Sequence, residues 1–253
     1  MVNKKLLSVK EAINEIVKNL QVLQSEDIEL TNALGRTNAK KIISKLNNPS
    51  QDVSSMDGYA VNSKNNFKNY KIIGESSAGN PFKKSVGDGE TVQIFTGAHL
   101  PKGTDCVEIQ ENTELKNNNI VFFKNNSFLK NQYVRKKGLD FQKEDIILDK
   151  NNIINSRDIS TIAMSGNFWL NVRIKPIIGI LSTGDEIEKV GELLNKNKIP
   201  SGNNIMLASM IKVFGGIPRI LPISKDNKNS IKKILEKNLD CNLLISTGGA
   251  SVG

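Results

Sequence analysis

The sequence is poor in the side chains that most often do chemistry. Two cysteines, Cys106 and Cys241, and a single histidine, His99, occur in 253 residues. Two cysteines cannot build a disulfide framework, and with one histidine no Cys/His cluster points to zinc. A Ser-His-Asp triad would have to rely on a histidine whose setting reads as a surface loop. Aromatics make up 5% of the chain, too few to furnish a base-stacking platform. No apolar run approaches the roughly 20 residues that span a bilayer. The N-terminus, MVNKKLLSVKEAINEIVKNL, is amphipathic and lacks the apolar core of a secretion signal. These absences together lead us to expect a reducing, cytoplasmic setting, with neither nucleic acid nor membrane as partner.

What is present describes an ordinary globular chain. Hydrophobic residues are 38% and charged residues 24%, enough to bury a core in one large domain or two smaller ones. The net charge of +9 comes from scattered lysines interleaved with asparagine, as in KNNFKNYK and KDNKNSIKK, with only five arginines. That pattern reads as a solvated surface, with a mild attraction for an anionic substrate.

Hydrophobic periodicity divides the chain into three stretches. Ser8 and Glu11 form a capping box, and Val9, Ala12, Ile13, Ile16, Val17 and Leu20 then follow helical spacing, as if for one buried face. EDIEL reads as a strand, and residues 31–44, TNALGRTNAKKIIS, as a helix interrupted near Gly35. Between 46 and 145 short β-like runs (NYKIIG, TVQIFTG, DCVEIQ, NIVFF) alternate with turn residues. Helical spacing returns around SRDISTIAMSG. From 174 the order is strand, helix, strand, helix, strand, which predicts a parallel sheet with right-handed crossovers. The expected fold class is thus α/β and multidomain: a helical segment of residues 1–45 plus 146–173, an inserted β-rich domain of residues 46–145, and an incomplete parallel α/β sheet domain of residues 174–253.

Open α/β sheets bind ligands beyond the carboxyl ends of their strands. Here those ends read Ser182-Thr183-Gly184-Asp185-Glu186, Ser224-Lys225-Asp226 and Ser246-Thr247-Gly248-Gly249-Ala250-Ser251-Val252-Gly253. Hydroxyls and glycines suit a phosphate, because bare backbone N–H groups can approach an anion. Carboxylates at the same rim need an intervening cation, and Mg²⁺, held by one or two carboxylates together with phosphates, is the natural choice. The β-rich stretch adds Asp57 in SSMDGYAV, where Asp-Gly is ordinary turn chemistry, and Thr96 in IFTGAHLPKGTD. It also adds Asp140 in VRKKGLDF, beside Arg135, Lys136 and Lys137. Taken singly, each of these reads more readily as a turn former than as a catalytic group. Cys106 lies in a strand-like run and is expected to be buried and inert.

In their order, SSMDGYAV, SSAGNPF, IFTGAHLPKGTD, VRKKGLDF, GILSTGDEI and STGGASVG, preceded by NALGRTNAKKI, resemble the molybdopterin molybdenumtransferase family, also called MoeA or gephyrin E-domain proteins. The resemblance implies an enzyme of molybdenum cofactor biosynthesis. Such an enzyme takes adenylylated molybdopterin and molybdate with Mg²⁺, inserts the metal into the dithiolene and releases AMP. It also implies a homodimer whose cleft lies between the sheet domain of one subunit and the β-rich domain of its partner, with the molybdopterin adenylyltransferase as a further partner. Carried onto this chain, Asp57, Thr96 and Asp140 would face the cleft. Glu186 and Asp226 would hold Mg²⁺ or polarise the adenylate phosphate. Ser182, Thr183, Gly184, Asp185, Asn203, Thr247, Gly248, Gly249 and Ser251 would take the pterin and its phosphate.

The sequence departs from the family pattern in three places. His99 stands where the family usually has proline, and Ser201-Gly202-Asn203 stands where Asp-Ser-Asn is common, which removes one carboxylate. Family members also continue past the glycine loop into the rest of the sheet domain and a C-terminal β-barrel. The resemblance therefore implies a C-terminally truncated chain with weak or no activity by itself. Two alternatives compete: a molybdopterin adenylyltransferase-like enzyme, which would explain STGGASVG but not the motifs of 54–145, and a non-catalytic scaffold of the same fold.

Overall fold

The computed structural model describes residues 7–116, 119–191 and 197–248. The chain divides into two compact units. One comprises Met1–Ile28, Ala33–Ala39 and Asn171–Gly253, the other Glu29–Asn32 and Lys40–Leu170.

Helix α1, Val9–Asn19, forms where the capping box predicts it. The Glu11 backbone N–H donates to Ser8 Oγ at 3.3 Å and the Ser8 N–H to Glu11 Oε2 at 2.7 Å. Its apolar stripe, however, is not buried. Val9, Ile13, Ile16, Val17 and Leu20 are exposed, and no residue of the helix is buried. The expectation of a packed face is thus corrected for the described residues of this chain: capping box and spacing form the helix, and its apolar stripe faces outward.

Strand β1, Ser25–Glu29, follows. The helix expected over residues 31–44 does not form. A single 3₁₀ turn at Leu30–Asn32 gives way to extended chain, with Gly35 at φ 73° and Ile42–Ile43 paired with Ile146–Leu148. Long-range bonds override the local spacing here. The buried Arg36 guanidinium donates to Glu26 Oε1 at 2.5 Å and to the Arg173 carbonyl at 2.7 Å.

The four β-like runs of the middle stretch all enter one six-stranded sheet. Its strands are β2 (Gly58–Val61), β3 (Asn69–Ser76), β4 (Glu90–Ile94), β5 (Cys106–Ile109), β6 (Thr113–Lys116) and β7 (Ile120–Phe123), in the spatial order β5-β2-β4-β3-β7-β6. Only the β3–β4 pair is parallel. One layer of the core is aromatic. The rings of Tyr59, Tyr70, Phe123 and Phe128 meet edge-to-face, with Tyr70 and Phe123 centroids 5.1 Å apart. Cys106 is fully buried in this layer, and burial pushes its thiol up to about 12, so it is inert as expected.

Gly58 is a strand residue rather than part of the turn that Asp-Gly suggests. A Cβ at this position would lie 2.0 Å from the Glu108 carbonyl oxygen and 2.9 Å from Ile109 Cα. The glycine therefore lets β2 and β5 approach closely.

Helix α2, Ser156–Met164, is capped by Asn155, and strand β8, Trp169–Arg173, pairs with β1. The parallel sheet follows as predicted. Its strands are β9 (Ile177–Ser182), β10 (Ile217–Ile220) and β11 (Leu243–Thr247), in the order β10-β9-β11. Helices α3 (Gly202–Val213) and α4 (Lys228–Glu236) are the connections. Ile180 on β9 packs with Ala208 and Ile211 of α3, the buried core of this sheet. The central strand carries the apolar run because it alone has neighbours on both sides among the described residues.

Gly58→Ala is expected to destabilise the β-rich unit by about 1–3 kcal/mol through overpacking. Gly202→Ala, where a Cβ would meet nothing within 4 Å, should be close to neutral. Urea unfolding followed by near-ultraviolet circular dichroism compares the two.

Candidate functional site

In the β-rich unit, sheet register brings Asp57 and Thr96 together across 39 residues of chain. Gly58 of β2 lies opposite Ile94 of β4 in an antiparallel pair, so the residue before one strand meets the residues after the other. The Ser54 hydroxyl turns the approaching chain by donating to the Met56 carbonyl at 2.5 Å and accepting from the Met56 N–H at 3.2 Å. Asp57 Oδ1 then accepts from the Thr96 backbone N–H at 2.7 Å and from its hydroxyl at 2.8 Å. Those two bonds, the backbone one first, hold the carboxyl below the usual aspartate range. Asp57 Oδ2 makes no hydrogen bond with a described residue, so the group presents a fixed, ionised oxygen.

Asp140 is held differently. Arg135 Nη2 lies 2.7 Å from each of its carboxylate oxygens, and Asn48 Nδ2 donates to Oδ2 at 3.1 Å. The neighbouring Lys136 is paired with Asp52, whose Oδ1 also accepts from the Lys137 backbone N–H at 2.8 Å. Much of the basic run is therefore committed to carboxylates. Asp140 opens onto a cavity of about 650 Å³ that it shares with Glu144, Asp145 and Thr161. His99 bridges to Val53, and its carbonyl accepts from Ser76 Oγ at 2.9 Å. It lines a separate cavity of about 570 Å³ with Lys83, Lys102 and Lys137.

In the other unit, the ends of the three parallel strands are laced to one another. The Thr183 N–H donates to the Thr247 carbonyl at 3.1 Å, the Ser224 N–H to the Ser182 carbonyl at 2.9 Å, and the Gly184 N–H to the Ser224 carbonyl at 3.2 Å. Hydroxyls extend the lacing: Thr247 Oγ1 donates to Ser182 Oγ at 3.3 Å, and Ser182 Oγ lies 3.2 Å from Ser201 Oγ. Gly248, at φ 109°, sits so close that a Cβ would be 2.6 Å from Thr183 Oγ1. Gly184, at φ 141°, lies beneath the Glu186 carboxylate, 2.7 Å from where its own Cβ would be.

Asp185, Glu186, Asn203 and Asp226 are all solvent-exposed. Gly249 and Ser251 lie outside the described residues. A cavity of about 600 Å³ opens at this rim, lined by Gly184, Asp185, Glu188, Ser224 and the apolar wall Ile220–Ile223. Glu186 and Asp226 border the same loops but do not line it. The rim offers carboxylates and hydroxyls, and Lys189, Lys198, Lys225 and the Asn204 amide line the same cavity. Among the described residues no group of three or more His, Cys, Asp or Glu side chains is poised to hold a metal. That chemistry fits a cation shared between one or two carboxylates and a substrate phosphate, and does not fit a closed protein cage.

One lining residue escaped the sequence reading. Asn204 is 6% exposed and lines the cavity, and its Oδ1 is buried with no hydrogen-bond partner among the described residues. The signal was there, since Asn204 shares the i, i+4, i+7 stripe with Ala208 and Ile211, a polar residue on the buried face of a helix.

Thr96→Val removes the hydroxyl bond to Asp57 and keeps the backbone one. The Asp57 pKa should rise while staying below its ordinary value, as read by a carboxyl-carbon NMR titration. Because the folded-state value is depressed, the stability this group adds is present above the ordinary carboxylate range. It is lost as pH falls through the lowered value, so the Thr96→Val protein should lose it at a higher pH than the wild type.

Comparison with known proteins finds matches over both parts of the chain. Residues 7–166 match the family model described as MoeA N-terminal region (domain I and II), and residues 179–253 match a probable molybdopterin binding domain. A Staphylococcus aureus molybdopterin molybdenumtransferase is 31% identical over 98% of this chain, and its Staphylococcus epidermidis counterpart 30% identical over 98%. The chain spans 60% of the length of either relative. Two crystal structures of the molybdopterin biosynthesis MoeA protein from Pyrococcus horikoshii are also similar. One has a TM-score of 0.85 at 29% identity, covering 97% of this chain and 64% of that one. The other has a TM-score of 0.88 at 28% identity, covering 96% and 67%. With the MoeA model matched along more than half its length, this chain belongs to the MoeA family.

Proposed function

We propose that this protein serves molybdenum cofactor biosynthesis as a molybdopterin molybdenumtransferase, accepting adenylylated molybdopterin and molybdate and releasing AMP. The observation that carries the reading is that a MoeA N-terminal region and a molybdopterin-binding domain follow one another in a single chain. In this reading residues 1–45 with 146–173, 46–145 and 174–253 are its structural divisions. The chain covers 60% of the relatives' length, so the activity of the whole relative is inferred for it.

The geometry supports distinct roles. The laced strand ends gather hydroxyls and backbone groups at one rim, where a phosphate can be received. Ser182, Thr183, Asp185, Asn203 and Thr247 add polar groups around it, and in this reading Gly249 and Ser251 extend the same loop. Glu186 and Asp226 are the residues that would hold Mg²⁺, whose contribution when bound is to neutralise charge on the adenylate phosphate. Asp57, kept ionised by Thr96, and Asp140, oriented by Arg135, are carboxylates fixed in advance, as electrostatic catalysis requires. Phosphoryl chemistry of this kind depends on positioning and charge and needs no cysteine or histidine nucleophile.

The remaining parts of the reading concern setting. Exposed apolar side chains on α1 (Val9, Ile13, Ile16) and α3 (Met206, Met210, Val213) support self-association as a homodimer. The adenylyltransferase that makes the substrate is the natural second partner. Two free cysteines, and no helix among the described residues long and apolar enough to cross a membrane, support a cytoplasmic place of work.

AMP release from adenylylated molybdopterin should require both molybdate and Mg²⁺ and should stop on addition of EDTA. Asp57→Ala and Glu186→Ala should each slow it by about 100-fold or more, the scale of losing one preorganised electrostatic group. Equal rates in the wild type and both variants would remove these assignments.

A further inference from the structure

We propose that the lysine-lined cavity of the β-rich unit binds a diphosphate group, either as pyrophosphate or as part of a nucleotide. The inference stands apart from the proposed function, since no site residue assigned there lines this cavity. The space is about 570 Å³, and Lys83, Lys102 and Lys137 line it together with His99 and one carboxylate, Asp52. That carboxylate is already engaged. Its Oδ2 pairs with Lys136, which does not line the cavity, and its Oδ1 accepts from the Lys137 backbone N–H at 2.8 Å. The three lining ammonium groups make no hydrogen bond or ion pair with a described residue. Three cations thus face one cavity with no free carboxylate to balance them. A cleft lined by one sign of charge concentrates counter-ions, and the mutual repulsion of the lysines is best relieved by an anion that carries several charges.

Four chain segments form the wall, and hydrogen bonds tie them to one another before any ligand arrives. Ser76 Oγ accepts from the Phe82 N–H at 3.2 Å and donates to the His99 carbonyl at 2.9 Å, which joins the segment of Lys83 to that of Lys102. The Leu100 N–H donates to the Asp52 carbonyl at 3.0 Å, while the Asp52 carboxylate holds the segment of Lys137. The Val86 N–H donates to the Lys102 carbonyl at 2.8 Å. Gly103, at φ 91°, makes this approach possible, since a Cβ there would lie 2.3 Å from the Val86 carbonyl oxygen. Backbone fixed in this way lowers the cost of ordering the lysines around a ligand. The chemistry of the donors then selects the ligand. Ammonium groups are compact point charges without the planar fork that suits a single carboxylate, and an imidazole ring can add an N–H. Three such charges around a cavity of this size match a chain of phosphates better than one orthophosphate.

Calorimetry on the 253-residue chain, at low ionic strength and without added metal, measures binding of pyrophosphate, orthophosphate and ADP. The wild type is expected to take pyrophosphate about 10-fold or more tightly than orthophosphate, the scale of one further hydrogen bond to a charged group. Added salt should weaken that binding. Lys83→Gln, Lys102→Gln and Lys137→Gln combined should lower the affinity for pyrophosphate by about 10-fold or more. A control combining Lys68→Gln, Lys130→Gln and Lys143→Gln removes the same charge from exposed lysines of the same unit that do not line the cavity, and it should bind as the wild type does. Displacement of pyrophosphate by ADP identifies a nucleotide as the ligand, and no displacement identifies the free anion. The inference is overturned if pyrophosphate does not bind, if orthophosphate binds equally well, if the control loses as much affinity, or if the cavity variant loses none. Each of these results leaves the proposed function standing. Should the triple variant fail to fold, Lys102→Gln alone carries the same comparison.

Discussion

The β-rich unit depends on two backbones approaching more closely than any side chain would allow. Gly58 sits against the Glu108 carbonyl. Because β2 can lie there, it is fixed between β4 and β5, and the antiparallel register with β4 puts Asp57 beside Thr96. A carboxylate placed by a strand register needs no long side-chain network to hold it. Two short hydrogen bonds from a neighbouring chain segment suffice to orient it and to keep it charged. The MDGY run that reads locally as a turn therefore draws its meaning from a residue nearly forty positions away.

The parallel sheet follows a related logic at its rim. Strand ends usually fray into loops, yet here Ser182, Thr183, Ser224 and Thr247 bond to one another across all three strands. The lacing fixes the backbone that carries Gly184 and Gly248, whose missing side chains make room for the Glu186 carboxylate and for Thr183. Carboxylates then stand around a hydroxyl-rich floor. Lys189, Lys198 and Lys225 line the same cavity, so the rim carries both signs of charge.

Much of this was readable beforehand, and the misses have physical causes. The strands near Tyr70, Val92, Val107 and Val121, and the apolar run Ile177–Leu181, were legible because alternation or continuous apolarity is a direct image of burial. The strand ends at 182–186 and 247–248 stood out because a hydroxyl recurs at each of the three ends, with glycine, acid or both beside it. Residues 31–44 were misread because Leu34, Ile42 and Ile43 mimic helical spacing. Arg36, by reaching Glu26 and Arg173, makes bonds that no local pattern encodes. The stripe on α1 was read correctly as a helix and wrongly as a packed face, since periodicity reports amphipathicity and not the presence of a partner. Asn204 is harder to read than Asn203, because its burial shows only as one polar position on the stripe it shares with Ala208 and Ile211.

The contrast between the two thiols has a practical side. Cys106 is sealed inside the aromatic layer, with ionisation pushed to about 12, whereas Cys241 is only half-buried, two residues before β11 and beside Arg219. A maleimide fluorophore added to the native protein would therefore attach at one place, on the parallel sheet. The chain comes with its own labelling handle, and ligand-driven rearrangement of that sheet can be followed optically without engineering a single residue.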